Sequence, residues 1–270
     1  MLAGSGNLAF SEAVANRLQQ RLGDAYDLVP YEKNQKGALI ITLGAARLSE
    51  VIAANPDAPV LALFVTEDDY QSIVPEARRK QVSALYDNPP LLRQAMLGRL
   101  ILPKSRRVAL LATPAKRLDY QPLLEQLEDR GFEARVFVVE SNDTLINTLS
   151  RALLFADLLL GTPDPAVYNR STIKHLLLTA YRHNRILIGP SRAYVKAGAL
   201  ASTYTSVKTF LDLTASRIQA FVEDGELQSA GYPTEFEVAL NNQVARSLNI
   251  LLPDAETLQQ ELLELEEDTP

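Results

Sequence analysis

The sequence predicts an α/β protein built as two Rossmann-like lobes with parallel sheets, and three observations predict it. Short apolar runs alternate with amphipathic stretches along most of the chain, the pattern of repeated βα units. Most of those apolar runs are continuous rather than alternating, as strands buried on both faces of a parallel sheet require. At 270 residues the chain has room for two units of ordinary domain size, each with its own core.

The first helix is read over 12–22, where Val14, Leu18 and Leu22 recur every four positions and Gly23 follows in a C′ position. The runs at 38–43 and 60–65 are the next strands. A helix over 91–102 is entered through Pro89-Pro90 and stops before Pro103, and Lys104-Ser105-Arg106-Arg107 then forms a polar bridge. The lobe boundary is placed there. A second series follows, with strands at 107–112, 134–139, 158–161, 186–188 and 200–204 and a helix over 122–130 closed by Gly131.

Hydrophobic residues make up 47% of the chain and charged residues 22%, the usage of a globular protein rather than a disordered one. The formal charge is −6, and Lys and Arg are scattered, so neither nucleic acid nor an anionic membrane is an expected partner. No apolar run reaches the roughly 18 to 20 residues needed to cross a bilayer; the stretch 152–161 is short and carries Asp157. Cysteine is absent, which excludes disulfides and thiolate sites. His175 and His183 have no acidic companion at ligand spacing, so no metal site is expected. No GxSxG, HExxH, Walker A or GxGxxG motif is present, and no cofactor or catalytic set is read. The acidic stretch 261–268 reads as a solvated helix end.

Ligands of parallel α/β sheets bind at the carboxyl ends of the strands, so candidate residues are sought there. Strand 38–43 runs into Gly44 and Ala45, where small residues and free helix-start N–H groups suit a carboxylate; a tight strand-to-helix turn explains the same glycine. Strand 60–65 ends in Thr66 and the acidic Glu67-Asp68-Asp69, which also reads as a helix cap. Strand 107–112 ends in Thr113. Asp164, between two prolines after strand 158–161, suits recognition of an ammonium, or else caps a turn. Ser191 follows strand 186–188 and can donate and accept.

Several segments, spread over both halves, then carry a resemblance. They are Ile41-Thr42-Leu43-Gly44, Tyr86-Asp87-Asn88-Pro89-Pro90, Pro163-Asp164-Pro165-Ala166-Val167-Tyr168-Asn169, Lys196-Ala197-Gly198-Ala199-Leu200 and Asn241-Asn242-Gln243-Val244-Ala245-Arg246. Together they resemble the ABC transporter substrate-binding family that includes tryptophan- and tyrosine-binding importer proteins. The resemblance implies the type I periplasmic binding protein fold, with a cleft between the lobes and three chain crossings. Lobe 1 would be 1–103 with 190–228 returning to it, and lobe 2 would be 104–189 with 229–270 returning.

Function would then be capture without turnover: a monomeric, periplasmic solute-binding protein that delivers a small polar ligand, an amino acid or amine, to an ABC permease. The alternative is the same fold used as a ligand-sensing or interaction module. Relatives place an Asp at the Asp164 position against the ligand's amino group, and hydroxyls and helix-start N–H groups, here Ser191, Gly44 and Ala45, against its carboxylate. Ser5 and Asn7, in the loop after the first strand, join the candidate set with Thr66 and Thr113. Only Met1–Gly4 precede that loop, so an export leader and part of the first strand are expected to be missing from this sequence. One departure stands out: the relatives' polar loop after the first strand of lobe 2 is Ala112-Thr113-Pro114-Ala115-Lys116-Arg117 here, which leaves the ligand's identity open.

Overall fold

The structure of the protein, a computed structural model, describes residues 1–32 and 39–267. In chain order it begins with β1 (Leu2–Ala3), α1 (Leu8–Leu22), β2 (Ile40–Leu43), α2 (Ala45–Ala54), β3 (Val60–Val65), α3 (Glu67–Ile73) and β4 (Val82–Tyr86). Next come α4 (Leu91–Ile101), β5 (Arg107–Ala112), α5 (Gln121–Asp129), β6 (Glu133–Val138), α6 (Leu145–Phe155), β7 (Leu158–Leu160), α7 (Ile173–Arg182), β8 (Ile186–Ile188), α8 (Arg192–Ala197) and β9 (Ala201–Tyr204). The chain closes with α9 (Val207–Asp224), β10 (Glu237–Leu240), α10 (Asn242–Ser247) and α11 (Ala255–Glu267). Two compact units result: Met1–Asn88 with Thr205–Glu235, and Pro89–Tyr204 with the chain from Phe236 onward.

The first unit is a four-stranded sheet in the order β1-β2-β3-β4, parallel throughout. Its strands are apolar on both faces because helices cover both. Ile41, Leu43, Leu61, Leu63 and Leu85 meet Val14 and Leu18 of α1 and Phe210 and Leu211 of α9. Ile40, Val60, Ala62, Val82 and Ala84 meet Leu48 and Val51 of α2 and Tyr70 of α3. Each such leucine, fully buried, contributes about 1.5–3 kcal/mol of transfer free energy.

The second unit has six strands in the order β10-β9-β8-β7-β5-β6, parallel except that β10 runs antiparallel to β9. One face packs Val108, Leu110, Leu158, Leu160 and Ile188 on α4, α5 and α11; the other packs Ala109, Leu111, Leu159 and Leu187 on α6 and α7. Gly98 lets α4 lie close to the sheet, since a Cβ there would stand 2.8 Å from Leu158 Cδ2 and 3.2 Å from Ile188 Cγ1.

The sequence pattern places a lobe boundary at 103/104, and the resemblance implies further exchanges at 189/190 and 228/229; the compact units divide at 88/89, 204/205 and 235/236. Two interactions hold α4 and β9 to the second unit. Helix α4 buries Ala95, Leu97 and Ile101 in the second core. Strand β9 pairs with β8 and is pinned to α4 by the fully buried Gln94, whose Oε1 accepts from Thr203 N at 2.9 Å and whose Nε2 donates to Ser202 Oγ at 2.9 Å. Of the strand read over 38–43, Ala38 lies outside the described residues, and so does Asp268 of the acidic stretch.

Candidate functional site

In the first unit the carboxyl ends of the four strands gather Ser5, Asn7, Gly44, Ala45, Thr66 and Asp87. Their polar side chains are largely committed to nearby backbone. Asn7 caps α1, accepting from Phe10 N at 3.1 Å. Ser5 N donates to Ser11 Oγ at 2.9 Å, and that hydroxyl reaches Asn7 O at 2.9 Å, so Ser5, Asn7 and Ser11 form one local knot. Thr66 and Asp69 make a reciprocal capping box at the start of α3, with bonds of 3.0 and 3.1 Å. Within that carboxylate run Asp69 therefore serves the cap.

Gly44 precedes α2 with φ +86°, a left-handed-side backbone that glycine adopts freely, and its N–H donates to Leu63 O at 2.8 Å. Gly44 brings no side-chain cap to α2, and among the described residues no side-chain acceptor is recorded for the first N–H groups of the helix that Ala45 opens. Phe64, in β3 just before Thr66, has φ +56° at a register shift between Leu63 and Val65. Its ring stacks on Phe210 at 4.8 Å and meets Phe10 edge-on at 5.0 Å. The packing of those rings offsets a backbone cost of about 1–2 kcal/mol.

Beyond β4, Asp87 and Asn88 stand beside Tyr86 and Tyr232. Tyr232 donates to Glu67 Oε2 at 2.7 Å, and its ring meets that of Tyr86 at 5.0 Å. Burial pushes the Tyr232 hydroxyl far up, and the Glu67 carboxylate adds to the shift. Desolvation raises the carboxyl of Asp87, an exposed residue, above the ordinary range, and the neighbouring Asp69 charge raises it further.

The second unit brings Thr113 and Asp164 together. The β5–β7 ladder ends at Leu110↔Leu160, and side chains continue it. Thr162, fully buried, donates from Oγ1 to Leu111 O at 3.0 Å. Two residues on, Asp164 Oδ2 accepts both Thr113 N and Thr113 Oγ1 at 2.9 Å, while Oδ1 accepts Ala166 N at 3.1 Å. Asp164 is 3% exposed. Its main-chain oxygen also accepts from Val167 N and Tyr168 N, so the 164–168 segment is a capped turn and α7 starts only at Ile173. Both readings of Asp164, anchor and turn cap, thus meet at one carboxylate whose oxygens already face protein donors.

Ser191 sits at the start of α8 after β8, in extended backbone, partly exposed and without a side-chain bond among the described residues. Tyr194, one turn on, lies 6.2 Å from the buried ring of Tyr168. Burial holds the Tyr168 hydroxyl well above its usual range. Gln94 and Tyr232 are what sequence reading left out: Gln94 and Thr203 stand 109 residues apart, Tyr232 and Glu67 165, and no local signal links such pairs. Among the described residues no group of three or more His, Asp or Glu is arranged to hold a metal, and no helix is long and apolar enough to cross a membrane.

No protein-family model matches the sequence, and no curated protein matches it either. Solved structures do match by shape. A substrate-binding protein with adhesive properties from Clostridium difficile, in its ligand-free, open form, is 15% identical, with 94% of this chain and 95% of that one covered and a TM-score of 0.75. The ABC domain of a Streptococcus pneumoniae protein in complex with L-Trp is 16% identical over 96% and 97% of the two chains, with a TM-score of 0.65. A transcriptional activator of the comK gene from Bacillus halodurans is 14% identical over 99% and 97%, with a TM-score of 0.54. At these identities the likeness speaks for architecture, and it agrees with two parallel α/β units exchanging chain three times. The chain has the fold of the type I periplasmic binding proteins.

Proposed function

We propose that this protein is the extracytoplasmic solute-binding component of an ABC importer, holding a small polar ligand, an amino acid or amine, at the carboxyl ends of its parallel strands. The observation that carries the reading is that each unit, on a fold shared with substrate-binding proteins, gathers polar groups at the carboxyl ends of its own strands: Thr113 and Ser191, with Asp164 bonded to Thr113, in one unit, and Ser5, Asn7, Gly44, Ala45, Thr66 and Asp87 in the other. Capture rather than turnover fits the bonding of these groups. The Thr66, Asn7 and Asp164 side chains act as acceptors for backbone N–H groups, and none is paired with a base or nucleophile as acid–base or covalent catalysis requires. In the first unit the start of α2, where Gly44 brings no side-chain cap, is the group we assign to a ligand carboxylate; Ser191, partly exposed at the start of α8, is the corresponding candidate of the second unit. Asp87 is the carboxylate we assign to a ligand's positive end.

A thermal-shift screen of the twenty amino acids and of small amines tests this. A ligand at 100 times its Kd stabilises the folded state by about 2.7 kcal/mol, and at least one compound is expected to do so. A flat screen overturns the proposal. The similarity to a transcriptional activator favours a second reading, in which the same fold reports ligand occupancy to a partner protein. Co-purification with a permease separates import from that alternative.

A further inference from the structure

We infer that Asp164 is a positioning residue: it fixes the 113–120 loop on the end of β7 and does not itself receive the ligand's positive group. The ligand-binding part of this inference rests on the reading above; the clamp itself does not. Three donors converge on one buried carboxylate, two from Thr113 and one from Ala166. A carboxylate so bound has little left to offer a solute, because a new cation would have to displace charge-assisted bonds and then be desolvated at a residue that is 3% exposed.

The pattern around it is that of a cross-brace. Once the ladder has ended at Leu110↔Leu160, bonds from 162 to 111 and from 113 to 164 join the two strand ends alternately. Pro163 and Pro165 on either side of Asp164 fix φ and leave few backbone states to lose. What the brace holds is a loop of two single 3₁₀ turns, 114–116 and 118–120, a form with weak hydrogen bonding of its own. That loop presents Leu118, 77% exposed, beside the buried Tyr120. Within the loop Lys116 pairs with Asp119 at 3.1 Å and Tyr120 is buried in the core, while the Asp164 bonds tie its first residue, Thr113, to the chain beyond β7.

Hydrogen exchange and amide NMR on the full ligand-free chain test the clamp. Thr113→Val, which keeps the shape but removes the hydroxyl donor, and Asp164→Asn are each expected to speed exchange of 113–120 amides at least about tenfold, the value of one charge-assisted bond, while Thr113→Ser restores protection. Unchanged exchange in both Thr113→Val and Asp164→Asn overturns the brace. Titration with ethylammonium chloride tests access: the Thr113 and Ala166 amide resonances are expected to stay in place. A saturable shift of those two resonances, abolished in Asp164→Asn, overturns the positioning role and returns Asp164 to the ligand. Neither readout needs the natural solute, so a failed solute screen and a failed clamp are told apart.

Discussion

The two units place polar side chains at the same end of their sheets but connect them differently. In the first unit the helix-start bonds are short-range, Asn7 to Phe10, Ser5 to Ser11 and Thr66 to Asp69, and Tyr232 to Glu67 is the long-range exception. Each loop there is shaped by the helix that follows it. In the second unit the bonds span 51 residues, from Leu111 to Thr162 and from Thr113 to Asp164, and each loop is shaped by its neighbour. Removing a cap in the first unit should therefore loosen one helix start, whereas removing Asp164 should loosen two loops together.

The largest effects should not distinguish the units at all. Leu110→Ala and Leu63→Ala both empty a fully buried site, and each should lower stability by about 2–5 kcal/mol in urea titrations. Asp164→Ala comes next, at about 2–3 kcal/mol, because it leaves the Thr113 and Ala166 N–H groups facing a void. Thr66→Ala should cost only about 1 kcal/mol, the worth of an N-cap. Equal losses for Asp164→Ala and Thr66→Ala would break the contrast between long-range and local bonding. Gly44→Ala should cost about 1 kcal/mol or more through its positive φ, although a Cβ there would meet nothing within 4 Å. Solute binding measured on that variant shows whether the α2 start holds ligand.

The smallest effects lie in pH dependence and should have opposite signs. At the amino end of the second sheet, Asp157 is opposed by burial, but the N–H groups of Arg106 and Arg107 and the Arg107 guanidinium outweigh it and hold the carboxyl low. A lowered folded value means stability present above the unfolded value, near pH 3.9, and lost as pH falls through the folded one. Asp87 is raised, so its folded form binds the extra proton, and stability falls as pH rises from the unfolded value through the folded one. Acid unfolding followed by circular dichroism should therefore lose part of its pH dependence in Asp157→Asn, while Asp87→Asn should be as stable as the parent or more so at neutral pH.

The contrast also explains which features were legible beforehand. The parallel α/β class followed from continuous apolar runs such as 60–65 and 107–112, since a strand covered on both faces has no polar side to show. Local caps were partly legible for the same reason they are local: Thr66 and Asp69 lie three residues apart. Strand β4 was not, because Ser83 interrupts a short run, and β10 was not, because Glu237 opens it and its pairing to β9 is antiparallel at the sheet edge.

From sequence alone came the fold class and the strand-end positions of Gly44, Thr66, Thr113, Asp164 and Ser191. Those depend on composition, periodicity and turn chemistry, which are properties of neighbours along the chain. Tertiary structure decided where α4 and β9 belong and which acceptor each hydroxyl finds. It decided, above all, that the Asp164 carboxylate accepts from Thr113 as well as from Ala166. A hydrogen bond between residues far apart in sequence leaves no periodic mark, so only the fold that ends the β5–β7 ladder at Leu160 brings that pair together.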